Sequence, residues 1–134
     1  MEFNYYQKTS RQTALYVREG IPNYIYPTLG LTGEAGEVAE KVKKILRDDN
    51  GIINEEKRVQ IAKELGDVLW YLSQLSTELG FSLDEIAQQN IDKINERLKQ
   101  NKIGGSGDNR EDVQSTELKG GVKNHDYTRT NWLY

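Results

Sequence analysis

The length, composition and charge of the chain exclude several classes of protein. Its 134 residues favour a single domain, and 29% charged residues with only two prolines are typical of a helical protein with a modest core. The net charge of −3 argues against a general nucleic-acid binder, which would carry a basic stripe. The absence of cysteine excludes disulfides and cysteine-based zinc sites.

The first residues do not resemble a signal peptide, and no apolar run approaches the length of a membrane-spanning helix. We therefore expect a cytoplasmic protein that binds neither membranes nor nucleic acids. A phosphate-bearing ligand stays compatible with the negative net charge, because divalent cations can supply the missing positive charge.

Two helices are predicted in the first half of the chain. The first, Phe3 to Val17, has a weak apolar stripe, and a turn region rich in glycine and proline follows it up to Pro27. The second is predicted from Thr28 to Asp48, because apolar residues recur at three- and four-residue spacing from Leu31 to Ile45.

Two further helices are predicted in the second half, and their ends are marked more clearly. Asn54 is a plausible N-cap for the third helix, whose apolar stripe ends before Gly80. The segment Ser82 to Glu85 has the pattern of a capping box and opens the fourth helix. After Asn101 the sequence is glycine-rich and then polar. We therefore predict an all-α fold, with a helical domain at 1–101 and a glycine-rich loop and irregular tail at 102–134.

Acidic residues recur on one side of the second and third helices. At 100° per residue, Glu34 and Glu37 lie on one flank of the second helix's stripe, and Glu64 and Asp67 lie on the same flank of the third. The corresponding flank of the fourth helix carries amide and cationic groups, at Asn90, Lys93 and Arg97. If these flanks converge, carboxylates would face hydrogen-bond donors in an arrangement that suits Mg²⁺ and phosphate.

A second interpretation stays open on geometry alone. A pair of acids at i, i+3 is ordinarily solvated surface, and lysine or arginine beside a stripe ordinarily extends its charge into water. Glu40 points away from the apolar stripe, so we place it outside the predicted site. Gly36, Gly66 and Trp70 also face away from the stripes, which predicts a second copy of the chain packed against this side.

Two short segments resemble a known signature. Gly33-Glu34-Ala35-Gly36-Glu37-Val38 and Glu64-Leu65-Gly66-Asp67-Val68-Leu69 are similar to the ExxE…ExxD motif of MazG-type nucleoside triphosphate pyrophosphohydrolases, which belong to the all-α nucleotide pyrophosphatases. The resemblance spans roughly Tyr26 to Arg110, and phrases in it are similar to a compact subgroup found in bacteria and phages. The family often has one more acid at the place of Gly33, so one ligand position of the family is absent here.

The resemblance implies a fold and an activity. It implies a four-helix bundle that assembles as a dimer or dimer of dimers, and cleavage of (deoxy)nucleoside triphosphates between the α- and β-phosphates. It implies Mg²⁺, with Mn²⁺ as a substitute, held by Glu34, Glu37, Glu64 and Asp67. Either Glu34 or Glu37 could accept the proton of the attacking water.

Substrate contacts are expected at polar and aromatic side chains around these acids. By the resemblance, Asn90, Lys93 and Arg97 face the substrate, and Tyr71 continues the acidic flank of the third helix. Arg110 lies in the glycine-rich stretch, which is either a linker or a phosphate-closing loop. Selection of the base needs a stacking pocket, for which the candidates are Tyr16, Tyr24, Tyr26 and Tyr71.

Two other functions compete with this one. A ferritin-like di-iron protein would need Glu-x-x-His pairs, and the only histidine, His125, lies in the tail, which excludes that class. A non-catalytic helical interaction module that has kept the fold stays open as the alternative.

Overall fold

The computed structural model describes residues 1–17 and 19–100, which form four α-helices and no strand, so the all-α prediction is confirmed. The helices are α1 (Phe3–Ser10), α2 (Ile25–Asp49), α3 (Glu55–Glu78) and α4 (Leu83–Lys99), and a 3-10 turn at Arg11–Thr13 follows α1. Residues 1–93 belong to one compact unit, and the last turns of α4 belong to a second one. Within the described ranges, no helix is both long and apolar enough to cross a lipid bilayer.

Helices α2 and α3 form an antiparallel pair, and α1 packs on α3. The direction follows from contacts between them, because Lys57 at the start of α3 pairs with Asp49 at the end of α2. The connection between them begins with Asn50, whose φ of 51° lies in the left-handed region. Asn54 then caps α3, since its side-chain oxygen accepts a hydrogen bond of 2.9 Å from the Lys57 amide.

The predicted end of α3 and the predicted start of α4 are both confirmed. Gly80 has a φ of 79°, and the Phe81 amide donates to the Ser76 carbonyl at 2.9 Å, as in a Schellman motif. The Glu85 carboxylate accepts from the Ser82 amide at 2.7 Å, and the Glu85 amide donates to the Ser82 hydroxyl at 3.1 Å. These are the two reciprocal bonds of a capping box.

Two helix boundaries differ from the predictions. The first helix ends at Ser10 rather than near Val17, because the chain tightens into the 3-10 turn and then leaves the helix. The second begins at Ile25, three residues earlier than predicted, with Pro27 inside its first turn. Proline is tolerated there because the first amides of a helix have no intrahelical partner. The earlier start matters for the site, since it puts Tyr26 on the helix.

Helix α1 is held on α3 mainly by hydrogen bonds between side chains. The Gln7 amide donates to the Thr77 hydroxyl at 2.8 Å, and the Ser10 and Ser73 hydroxyls lie 3.2 Å apart. Gln74, fully buried, donates to the Ser10 hydroxyl at 3.2 Å. Polar groups therefore occupy positions on α3 that a helical bundle would usually fill with apolar residues. In the described residues, every buried side-chain nitrogen and oxygen has a partner.

Apolar side chains are only partly covered in the single chain. Among the large hydrophobic residues of the described part, Ile45 and Leu83 are buried. Large ones that stay exposed include Leu29 at 68%, Leu46 at 69% and Leu65 at 52%. The surface of this chain therefore carries apolar area that another molecule could cover.

Candidate functional site

Three of the four predicted acids converge between α2 and α3. Carboxylate oxygens of Glu34, Glu64 and Asp67 lie within 4.8 Å of one another. Glu34 comes from α2, and the other two follow each other by three residues on α3, so they share one face of that helix. The antiparallel packing of the two helices brings these faces together, as the sequence pattern predicted.

The fourth acid, Glu37, is exposed and lies outside this group of three. It still acts on the group, because the pKa of Glu34 is raised, first by loss of hydration and then by the charges of Asp67, Glu64 and Glu37. Repulsion of this kind is the expected result of placing carboxylates together without a cation.

Two residues beside the acidic group were missed by the sequence analysis. The Lys41 ammonium lies 3.1 Å from a Glu64 oxygen, and burial together with the charge of Asp67 raises the pKa of Tyr6. Lys41 could have been found, because it follows Glu37 by four residues and shares its flank of α2. Tyr6 could not, because its place depends on how α1 packs on α3.

Aromatic rings continue the site away from the acids. The Tyr71 ring lies 6.1 Å from that of Tyr26 and 4.9 Å from that of Trp70, measured between centroids. The pKa of Tyr71 is raised by burial, by its interaction with Tyr26, and by the charges of Glu34 and Asp67. Tyr71 therefore joins the acidic group to the aromatic cluster. Helical spacing predicts Tyr71 on the acidic flank of α3, and the structure has it there.

Close packing between α2 and Tyr71 depends on one glycine. A Cβ atom at Gly30 would overlap the Tyr71 ring, whereas a Cβ at Gly33, Gly36 or Gly66 would meet nothing within 4 Å. Gly30 is therefore required by a helix–ring contact inside the chain. The other three leave open helix surface, which is compatible with the predicted second copy.

Trp70, which the helical wheel places away from the apolar stripe, is half-buried within the chain. Its indole N–H donates to the Thr13 hydroxyl at 2.8 Å, and its ring meets that of Tyr16 edge-on at 6.2 Å. The segment after α1 therefore covers part of this side of α3, a contact that the helical wheel did not include, and burial of Trp70 between two copies stays a prediction.

Two clefts are both lined by Tyr16 and Tyr26. The rings of these two residues stack with their centroids 5.1 Å apart and an angle of 10° between their planes. One cleft has a volume of about 260 Å³ and is also lined by Thr13, Leu15 and Trp70. The other, of about 220 Å³, lies toward the turn before α2. Both volumes are below the roughly 300–1,000 Å³ of pockets for drug-sized ligands, and they suit a single ring system.

The remaining predicted contacts are only partly described. Asn90 and Lys93 are exposed on α4, and Arg97 further along it is half-buried; their contact with a substrate stays a prediction. Tyr24, another candidate, is exposed just before α2. Arg110, His125 and the predicted tail at 102–134 lie outside the described residues, as does the predicted domain boundary.

Comparison with known proteins agrees with the geometry. The sequence model described as "MazG nucleotide pyrophosphohydrolase domain" matches residues 27–101, which contain all four acids. The chain is 46% identical over 114 residues to the Gene 37 protein of Mycobacterium phage L5, covering 82% of this chain and all of the phage protein. No solved structure matches it. The chain therefore belongs to the MazG nucleotide pyrophosphohydrolase family.

Proposed function

We propose that the chain hydrolyses nucleoside triphosphates, deoxynucleoside triphosphates in particular, to the monophosphate and pyrophosphate, with Mg²⁺ as cofactor. The observation that carries the proposal is the convergence of Glu34, Glu64 and Asp67 within 4.8 Å, joined through Tyr71 to an aromatic cleft. A cluster of carboxylates can hold a metal-bound triphosphate, and an aromatic cleft can bind a nucleobase. Membership of the family supports the general reaction class.

The acidic group fits Mg²⁺ by the chemistry of its donors. This ion prefers oxygen ligands and is usually held by a few carboxylates together with waters and substrate phosphates. Glu34, Glu64 and Asp67 would hold it, with Glu37 at the edge of the site and Mn²⁺ as a substitute. The raised pKa of Glu34 supports this, because a cation would relieve that repulsion. When bound, the ion would neutralise phosphate charge and polarise the phosphorus.

Of the two candidates for the general base, Glu37 is better placed than Glu34. Glu37 is exposed and lies outside the group of three carboxylates, whereas Glu34 belongs to it. A carboxylate oxygen of Glu37 would accept the proton of the attacking water. Asn90, Lys93, Arg97 and Arg110 would bind phosphate oxygens, and Lys41 adds a cation at the acidic group itself.

The base would enter the cleft lined by Thr13, Leu15, Tyr16, Tyr26 and Trp70. Tyr26 precedes Glu34 by eight residues on α2, or about 12 Å along the helix at roughly 1.5 Å per residue. A pentose and a phosphate can bridge that separation. Stacking of a base on an aromatic ring contributes about 1–3 kcal/mol and tolerates several bases, so the cleft supports binding of nucleotides as a class.

We also propose that two or four copies of the chain assemble. Large apolar side chains stay exposed on α2, α3 and α4, including Leu46, Leu65 and Ile91, and Gly36 and Gly66 leave open helix surface. A second copy that packs on these helices would bury both features. Light scattering at micromolar concentration tests this, and a monomer would contradict it.

The reaction is tested by incubating the purified protein with each common ribo- and deoxynucleoside triphosphate and Mg²⁺. Release of pyrophosphate and the matching monophosphate in equal amounts would support the proposal. Release of orthophosphate would point to a different bond. If no triphosphate is hydrolysed with Mg²⁺ or Mn²⁺, the alternative of a non-catalytic interaction module is the better description.

A further inference from the structure

A second carboxylate on α3, far from the acidic group, binds side chains from two segments that precede α2. Glu78 Oε1 lies 2.6 Å from the Arg11 guanidinium and 2.6 Å from the Tyr16 hydroxyl. The Asn23 side chain, in the turn before α2, also helps to lower the pKa of this carboxyl group. The Glu78 side chain is only 10% exposed. It therefore ties the 3-10 turn and the segment after it to the end of α3.

Glu78 lies far along α3 from the acidic group. It follows Asp67 by eleven residues, which is about 16 Å along the helix at roughly 1.5 Å per residue. Its two shortest contacts are made to Arg11 and Tyr16 rather than to the acidic group. Glu78 is therefore too far from the acidic group to take a direct part in cleavage of the phosphate bond.

The contacts of Glu78 bear on the position of the Tyr16 ring. Tyr16 lies in the non-helical stretch between the 3-10 turn and α2, so no helix backbone fixes it. Its ring borders both clefts, stacks on Tyr26 and meets Trp70 edge-on. The hydroxyl at the end of the ring donates to Glu78 and accepts from Arg11 at 2.8 Å. Two charge-assisted hydrogen bonds thus fix one end of this ring.

We propose that Glu78 is a positioning residue, which together with Arg11 holds Tyr16 as a wall of the base-binding cleft. The inference rests on the proposed function, because it assigns the cleft to the nucleobase. It makes Glu78 and Arg11 determinants of nucleotide affinity without contact to the substrate. Pre-organisation of this kind improves binding by removing the cost of ordering the ring when the ligand arrives.

Calorimetric titration with two product fragments tests the proposal without requiring turnover. The four common deoxynucleoside monophosphates report on the base cleft, and pyrophosphate with Mg²⁺ reports on the acidic group alone. Glu78→Gln keeps the shape of the side chain but removes its charge, and Tyr16→Phe keeps the ring but removes its hydroxyl. We expect each change to weaken the tightest monophosphate by roughly fivefold to tenfold, the size of one lost hydrogen bond.

Three comparisons separate positioning from a merely structural role. Pyrophosphate affinity should stay within about twofold in both variants, whereas general loosening of the fold would weaken both ligands. The double variant should bind the monophosphate no more weakly than either single variant, because both remove the same interaction. Glu85→Gln is the matched control: it removes the charge of a hydrogen-bonded glutamate at the start of α4, whose capping box a glutamine oxygen can still close, and both affinities should be unchanged.

Several results would overturn the inference. One is unchanged monophosphate affinity in Glu78→Gln and Tyr16→Phe. Another is pyrophosphate binding that weakens as much as monophosphate binding. The third is a native chain that binds no monophosphate. If Glu78→Gln does not fold, Tyr16→Phe alone decides. Failure of the proposed reaction has a different signature, since the native chain would then bind monophosphate and pyrophosphate but hydrolyse no triphosphate.

Discussion

Two carboxyl groups on the α2–α3 pair, Glu34 and Glu78, have opposite surroundings. Around Glu34 are other carboxylates, and its pKa is raised by loss of hydration and by their charges. Around Glu78 are donors: burial opposes its ionisation, but hydrogen bonds from Tyr16 and Arg11 outweigh burial and lower its pKa. The difference teaches that a carboxylate surrounded by donors fixes structure, whereas a group of carboxylates that repel one another is suited to a cation.

The strongest test of the comparison removes one carboxylate from the acidic group. We expect Asp67→Ala to lower hydrolysis by on the order of a thousandfold or more, because the metal would lose a ligand. The helical fold should stay intact, since Asp67 is exposed and its loss opens no core cavity. Circular dichroism and a pyrophosphate-release assay measure both effects.

The control for this change is Glu40→Ala. Glu40 lies on α2 and pairs with Lys43 and Lys44 at the surface, so its loss should leave turnover close to that of the native chain. An Asp67→Ala protein that is folded and nearly as active as the Glu40→Ala protein would remove Asp67 from the site.

The second test adds a cation to the acidic group. Mg²⁺ that binds only the folded chain should stabilise it by about 2.7 kcal/mol at a hundredfold excess over its Kd, which raises the melting temperature by several degrees. NaCl at matched ionic strength should do far less, because screening does not replace coordination. Thermal melts with Mg²⁺, with a chelator and with NaCl make the comparison. Equal shifts with both salts would mean that the acids are ordinary solvated surface.

The third test changes the contact between Gly30 and the Tyr71 ring, which joins the acidic group to the aromatic cluster. Gly30→Ala would place a methyl group inside the Tyr71 ring, and we expect it to cost about 1–3 kcal/mol of unfolding free energy. Gly33→Ala, on the same helix, meets nothing within 4 Å and should gain about 0.5–1 kcal/mol. Urea unfolding of both variants decides. Similar stabilities for the two would show that the Tyr71 ring moves aside without cost.

The smallest expected effect is a difference in pH dependence, measured by urea unfolding in chelator between about pH 3 and pH 7. The folded-state pKa of Glu34 is raised above 4.5, so its ionisation destabilises the fold as pH rises through that pKa. The folded-state pKa of Glu78 is lowered below 4.5, so its stabilisation is present above that value and lost as pH falls through the lowered pKa.

Matched glutamine substitutions therefore have opposite effects near neutral pH. Glu34→Gln should be more stable than the native chain and Glu78→Gln less stable, and both differences should shrink in acid. Tyr16 does not titrate in this range, since its pKa is raised to about 12, by burial first and then by its bond to Glu78. Differences of the same sign at neutral pH would contradict the contrast between the two carboxyl groups.

Much of the helical fold could be predicted because its signals are local. The caps at Asn54, Gly80 and Ser82 depend on residues within one turn, and all three are confirmed. The start of α2 was misplaced because Pro27 was taken to end a turn, although its missing amide costs nothing in a first turn.

The site was predictable where it depends on helical spacing and not where it depends on packing between segments. Glu34, Glu64 and Asp67 were found because each lies on a predicted flank. The contacts of Tyr16 and Trp70 were missed because they need the segment after α1 to fold back on α3. No periodic pattern in the sequence records a contact between residues 57 positions apart.

The polar contact between α1 and α3 has a thermodynamic consequence. Gln7 and Ser10 bind Thr77, Ser73 and Gln74 by hydrogen bonds, so opening of this eight-residue helix would expose polar as well as apolar surface. Exposure of polar groups lowers the heat capacity change, and a helix this short exposes little surface in total, so the heat capacity change and the denaturant dependence would both be small. A calorimeter or a urea titration would register it weakly, whereas exchange of the α1 amides with deuterium would report it directly.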